Sequence, residues 1–237
     1  MGELINFVRI IRGFLPQANV CVWVKTTMRV FRWHSAGYWL ICNRLSVYRE
    51  EVVSNLQQVV KALKQGQVVA YPTEGVFGLG CDPDNEVAIE RLLTIKQRPS
   101  DKGLILIAAD FQQLQPYLDL TSLSAEQLQR VFATWPGPYT WVMPASARAS
   151  ALVTGYRQTV AVRVSDHPLV QKLCSEYGKP LTSTSANLSG QTECKTVEQV
   201  QDQLGSQISV ILFGEIGERH RPSEIRDART EQLLRQG

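Results

Sequence analysis

The chain has no run of about 18 apolar residues, the length a helix needs to cross a bilayer. No membrane partner is therefore expected. Its five cysteines (Cys21, Cys42, Cys81, Cys174, Cys194) are odd in number, far apart and never in a C-x-x-C pair, which excludes a disulfide framework and a zinc site of the usual spacing. A reducing, cytoplasmic setting fits that pattern. His34, His167 and His220 each lack a second ligand at helical spacing, so no metal site built from protein side chains is expected. The phosphate loop G-x-x-x-x-G-K-[ST] is missing, and Gly75, Gly78 and Gly80 stand in the wrong order for a dinucleotide fingerprint. Without a G-x-S-x-G elbow, a serine hydrolase has no anchor either.

What is present divides unevenly. The 237 residues carry a formal charge of +3, yet residues 1–48 hold six cations against the single acid Glu3, which leaves the remainder net acidic. A net-acidic body argues against a general nucleic-acid coat, because such binding rests on many cationic contacts to phosphate. Trp23, Trp33 and Trp39 also fall in that first stretch, which shows no clean periodicity. The expectation is an N-terminal extension over 1–48, either disordered or produced by a start assigned upstream of a true one near Val47 to Glu51. A transit peptide fits less well, since the stretch lacks serine enrichment and an amphipathic repeat. The catalytic domain is then expected over 49–237.

From Ser54 the pattern becomes regular. Ser54 reads as a cap for a helix with Leu56, Val59, Val60 and Leu63 on one face and Gly66 as its stop. Strands are expected at Gln67–Tyr71, Leu104–Ala108, Tyr139–Met143, Thr159–Val164, Leu181–Thr184 and Ile208–Phe213. Between them, helices are expected at Glu86–Lys96, from Ser124 with Leu128, Val131 and Phe132 inward, at Pro168–Tyr177, and from a Thr196/Gln199 capping box to Leu204. Residues 73–80 read as a glycine-bearing turn. Such alternation favours a single α/β domain, a twisted sheet flanked by helices.

Three polar features sit where ligand crevices of open α/β sheets lie, at the ends of strands and helices. Lys96-Gln97-Arg98-Pro99 with Lys102 concentrates three positive charges after a helix, although complementing the helix dipole would explain two of them. Thr182 to Gly190 offers hydroxyls, an amide and backbone N–H groups of the kind that hold phosphate, although an ordinary polar turn has the same composition. Arg163 lies in the apolar strand Thr159–Val164 and needs an anionic partner, either a ligand or a protein carboxylate. From the residues alone these features reach an anion or nucleotide site and no further.

Read together and in order, Tyr71-Pro-Thr-Glu-Gly-Val-Phe-Gly-Leu-Gly80, Lys96-x-Arg98-Pro99, Trp135-Pro-Gly-Pro138, Val162-Arg163-Val164 and Ser183-Thr-Ser185-Ala-Asn187 resemble the YrdC/TsaC family of threonylcarbamoyl-AMP synthases. The resemblance runs from about Ser54 to the end of the chain and is strongest to the short bacterial form, through Pro222 to Asp227 and the Arg235-Gln-Gly ending. It implies a single YrdC-like domain whose twisted mixed sheet folds around a large open cleft. It also implies formation of threonylcarbamoyl-adenylate and pyrophosphate from L-threonine, bicarbonate and ATP, for the threonylcarbamoyladenosine modification of tRNA. Mg²⁺ would accompany the ATP.

By the same resemblance, Lys96, Arg98, Ser185 and Asn187 are the catalytic set. Arg98, Lys102, Thr159, Ser185, Asn187 and Arg235 would contact ATP. Gly75, Arg163, Ser183 and Ser223 would surround threonine, with Arg163 as carboxylate clamp. Gly75 has no side chain, so its part could only be to leave space or offer backbone. The longer relatives carry a further C-terminal domain, so a lid of the kind it supplies is expected to be absent here or to come from partners. The other proteins of tRNA threonylcarbamoylation are the expected partners. Two rival readings remain: a maturation factor binding double-stranded RNA, and the carbamoyl-transfer module of hydrogenase maturation, which occurs in much larger chains.

Overall fold

The structure is a computed structural model that describes residues 21–24, 27–30, 55–219 and 223–236. The chain divides into two units, Met1–Val53 and Ser54–Gly237. Of the first, the described part is an antiparallel pair, β1 (Cys21–Val24) with β2 (Thr27–Val30), in register from Cys21 opposite Val30 to Val24 opposite Thr27. The expected extension over 1–48, and the Ser54 cap, otherwise lie outside the described residues.

The second unit is built on one mixed sheet of nine strands: β3 (Val69–Pro72), β4 (Phe77–Gly80), β5 (Ile105–Ala108), β6 (Tyr139–Pro144), β7 (Thr159–Val164), β8 (Leu181–Ser185), β9 (Val210–Ile211), β10 (Glu224–Asp227) and β11 (Leu233–Arg235). Their order across the sheet is β11-β10-β6-β7-β5-β8-β4-β3-β9. β10 and β6, β7 and β5, and β3 and β9 run parallel; the other neighbours run antiparallel. Helices occupy 55–64, Glu86–Lys96, Ala125–Phe132, Pro168–Tyr177 and Val197–Leu204, with single turns at Phe111–Leu114 and Ala151–Thr154.

The helix boundaries follow their local chemistry. Asn85 accepts from the Ala88 N–H at the start of Glu86–Lys96, and Gln97 in the left-handed region closes it. Ser124 and Gln127 form a full capping box. At Thr196 only half of the expected box appears: the threonine caps Gln199, but the Gln199 side chain turns to the Lys195 N–H. Pro168 opens its helix and Gly178, at φ +88°, ends it.

Because successive strand residues face opposite ways, one face of the sheet is an apolar surface and the other is mixed. Val160, Val162 and Val164, with Leu106, Leu79, Trp141 and Met143, join the larger core under helices Glu86–Lys96 and Val197–Leu204. Val69, Tyr71, Ile107 and Leu181 form a second core under helices 55–64 and Pro168–Tyr177. The second core covers part of its face; Thr159, Ala161, Arg163, Ser183 and Ser185, on neighbouring stretches of that face, are left to line a cleft.

Three expectations need correction, and two strands had none. Residues 77–80 form strand β4, since Gly78 and Gly80 leave space on one face for the Tyr71 ring, whose hydroxyl donates to Thr182 O at 3.1 Å. The strand expected over Ile208–Phe213 shortens to β9, although bonds from Ser209 N to Val68 O and Leu212 N to Ala70 O continue its pairing. Phe132 is 40% exposed and meets Phe111 edge-on at 4.7 Å rather than turning inward. Strands β10 and β11 have no counterpart in the sequence reading, because Glu-Ile-Arg-Asp and Leu-Leu-Arg are too short to show a period.

Candidate active site

The cleft has a volume of about 690 Å³, within the range of small-molecule sites. Its lining carries six cations (Arg98, Lys102, Arg157, Arg163, Arg219, Arg235) and three carboxylates (Glu74, Glu193, Asp227). The cleft is thus net positive inside a body whose remaining residues are net acidic. Local clustering, not overall charge, makes the anion site.

At one corner the end of helix Glu86–Lys96 meets the end of β8. Lys96 Nζ donates to Asn187 Oδ1 at 2.5 Å, to Asn187 O at 2.6 Å and to Ser185 Oγ at 3.2 Å. All three ammonium hydrogens are therefore used within the protein. Burial, and then the neighbouring Arg98, push the Lys96 amine down to about 8. Asn187 also donates to Leu188 O and Gln191 O, which fixes its amide. Lys96 and Asn187 are buried beneath the cleft wall and do not line it, whereas Ser185 does.

Arg98 lies beside this corner, held by Gly103 O through Nε at 3.2 Å and Nη2 at 3.0 Å. Gly103 adopts φ +62°, and a Cβ there would come within 3.0 Å of Val153 O, so the turn that orients Arg98 requires glycine. Lys102 ends the short turn Ser100–Lys102 and faces the same space.

Elsewhere in the cleft lining Arg163 Nη2 stands 3.3 Å from Glu74 Oε2, and the Ser165 hydroxyl donates to Glu74 Oε1 at 2.6 Å. Burial alone would raise the Glu74 carboxyl, but Arg163 and the Ser165 hydroxyl outweigh it and hold the group below its ordinary range. Burial and the nearby Glu74 charge push Asp166 upward. Arg235, along the rim, donates to Ser223 O at 2.7 Å and to Ser223 Oγ at 3.2 Å, and Ser223 Oγ shares a 2.8 Å bond with Thr140.

Nine of the eleven residues singled out by sequence line this one cleft: Gly75, Arg98, Lys102, Thr159, Arg163, Ser183, Ser185, Ser223 and Arg235. They come from six separate stretches of chain, so their convergence is a property of the fold. Glu74, Arg157, Glu193, Arg219 and Asp227 were missed. Glu74 stands inside a quoted motif beside Gly75, and an arginine in an apolar strand signalled that a carboxylate partner must exist; nothing marked Arg157 or Arg219.

The Sua5/YciO/YrdC family model, described as "Telomere recombination", matches residues 61–237. The chain belongs to this family. Family members named threonylcarbamoyl-AMP synthase include one from Vibrio campbellii, 62% identical over 185 residues that span 78% of this chain and 100% of the relative. Another, from Photobacterium profundum, is 64% identical over the same shares. Among solved structures, P. abyssi Sua5 complexed with L-threonine matches with a TM-score of 0.69 and 31% identity, over 73% of this chain and 50% of that one. E. coli YciO matches with a TM-score of 0.67 and 26% identity, over 77% and 88%. The family's shared part is thus the α/β unit that carries the cleft.

Proposed function

We propose that the protein is a threonylcarbamoyl-AMP synthase, a nucleotidyltransferase that converts L-threonine, bicarbonate and ATP into threonylcarbamoyl-adenylate, pyrophosphate and water for tRNA threonylcarbamoyladenosine formation. The observation that carries this reading is the gathering of Arg98, Lys102, Arg163 and Arg235 in one cleft, in a chain matched over the full length of synthases with that name.

The reaction runs in two stages. The threonine amine adds to bicarbonate, giving a carbamate and releasing water; a carbamate oxygen then attacks the α-phosphorus of ATP, and pyrophosphate leaves. Carbamate and triphosphate repel each other strongly at bonding distance, most of all where water is excluded. Arg98 and Lys102 supply positive charge to the phosphates, and Lys96 acts through Ser185 and Asn187, whose positions it sets. Thr159 and Arg235 border the nucleotide. Arg163 takes the threonine carboxylate, with Gly75, Ser183 and Ser223 around the rest of the amino acid. Little covalent work falls to the protein, since alignment and charge stabilisation supply most of the acceleration in phosphoryl-type transfers.

Mg²⁺ would be carried in by the triphosphate and neutralise part of its charge. Such an ion keeps its waters and phosphate oxygens and needs few protein ligands. Among the described residues no group of three or more His, Cys, Asp or Glu is placed to hold a metal ion. Cys81, Cys174 and Cys194 are buried free thiols, which suits a reducing cytoplasm. No helix among the described residues is long and apolar enough to cross a membrane. The other proteins of tRNA threonylcarbamoylation are the natural recipients of so labile a product, and contact with RNA would come at that hand-over.

Pyrophosphate release by the purified protein tests the reading. It should require threonine and bicarbonate together; release without either, or RNA binding with no such release, overturns it.

A further inference from the structure

Two backbone turns meet beside the cleft with no side chain between them. Gly103, at φ +62°, ends the turn that bears Lys102, and its carbonyl holds Arg98 through Nε at 3.2 Å and Nη2 at 3.0 Å. Gly155, at φ +63°, closes the single turn Ala151–Thr154. A Cβ on Gly155 would lie 2.5 Å from Asp101 O and 2.7 Å from Gly103 N, both backbone atoms that cannot swing aside. From the other side, a Cβ on Gly103 would lie 3.0 Å from Val153 O and 3.2 Å from Gly155 N. The Leu104 N–H donates to Val153 O at 2.9 Å, which fixes the two turns against each other. Tyr156 follows in the left-handed region as well, at φ +62°, although it is not glycine. A chain holds such a conformation where the surrounding fold demands that path.

Gly155 is buried and does not line the cleft, so it touches nothing bound there. Its backbone nonetheless sets where Gly103 stands, and the Gly103 carbonyl sets where the Arg98 guanidinium lies. We propose that Gly155 is a positioning residue for the reaction: it lets its turn seat against the turn Ser100–Gly103, and so acts through the Gly103 carbonyl on Arg98. This rests on the phosphate-binding role given to Arg98 in the proposed function and deepens it. Misplacing a catalytic group by about 1 Å can cost about 10²-fold in rate. A methyl group at position 155 would therefore reach the chemistry without meeting substrate.

The test is steady-state pyrophosphate release by the full chain, with Gly178 as the control. Gly178 is also left-handed, at φ +88°, but nothing lies within 4 Å of an added Cβ, so Gly178→Ala strains the backbone without a collision. Gly155→Ala should lower kcat/KM for ATP by about tenfold to 10²-fold while the threonine KM stays within about twofold of wild type. Gly178→Ala should leave both within about twofold. Both variants should melt below wild type, since alanine is strained at positive φ. Adding Gly155→Ala to Arg98→Gln, which already lacks the guanidinium that Gly103 holds, should cost no more than about twofold further. Where Gly155→Ala does not fold, Gly155→Asn carries the same test, because asparagine tolerates the left-handed region yet still brings a Cβ. An ATP kcat/KM in the Gly155 variant equal to that of Gly178→Ala overturns the proposal. So does a threonine KM raised as much as the ATP value falls, or full additivity with Arg98→Gln. Threonine-dependent release by wild type keeps the two readings separable: its absence removes the synthase, whereas its presence with an indifferent Gly155 variant removes only this inference.

Discussion

The two corners of the cleft differ in how completely the protein satisfies them. At Lys96, every ammonium hydrogen is spent on Ser185 and Asn187, and the Asn187 amide is tied down in turn. At Arg163, the corner is held by the 3.3 Å ion pair of Nη2 with Glu74 Oε2, while Arg163 Nε and Glu74 Oε2 make no hydrogen bond among the described residues. A saturated corner is preorganised, so it can favour a transition state without rearranging. An unsaturated one has binding capacity in reserve. The contrast predicts that damage at Lys96 shows in turnover and damage at Arg163 in amino-acid affinity.

The largest effect should follow Lys96→Met, which keeps the stem but strands Ser185 and Asn187. Turnover measured by pyrophosphate release should fall about 10²- to 10³-fold, with a much smaller change in threonine KM. Equal losses in both would erase the distinction between the corners.

Arg163→Gln should come next. Removing one member of a buried charge pair costs about 2–5 kcal/mol in binding, which should appear mainly as a raised threonine KM, with ATP KM little changed. The same substitution leaves Glu74 buried without its counter-ion, so thermal unfolding should show a lower midpoint. A normal threonine KM would mean that the pair with Glu74 is purely structural.

Ser223→Ala should be milder, about tenfold at most in threonine kcat/KM, because one neutral hydroxyl bond is worth about 0.5–1.5 kcal/mol. Its backbone carbonyl still holds Arg235.

The smallest effect sharpens the comparison through pH. The folded-state Lys96 amine lies near 8, below its ordinary value, so above pH 8 the native protein sheds a proton that the unfolded chain keeps. Stability should therefore gain from this group between about pH 8 and its ordinary pKa, while turnover falls as the ammonium is lost. In denaturant melts Lys96→Met should lack that gain. An identical pH slope in both proteins would place the shifted amine elsewhere.

The sequence made the alternating elements legible because their signals are local: capping residues at Ser124 and Thr196, and a stop at Gly178. It also marked nine residues of the cleft, through short motifs whose order matched one family. It did not mark β10 and β11, whose pairing is long-range, and it read β4 as a turn because glycines that admit Tyr71 look the same as glycines that bend a chain. The split between Lys96 beneath the wall and Arg98 upon it was equally hidden, since two residues in one motif give no hint of which side each takes.

Mass detection of the product made from ¹³C-bicarbonate, L-threonine and ATP tests most directly whether both corners serve one reaction. The account predicts one ¹³C carried in an adenylate of threonine, formed by wild type and strongly diminished in Lys96→Met and in Arg163→Gln at low threonine. Unlabelled adenylate, or labelled product formed equally by all three proteins, would contradict it.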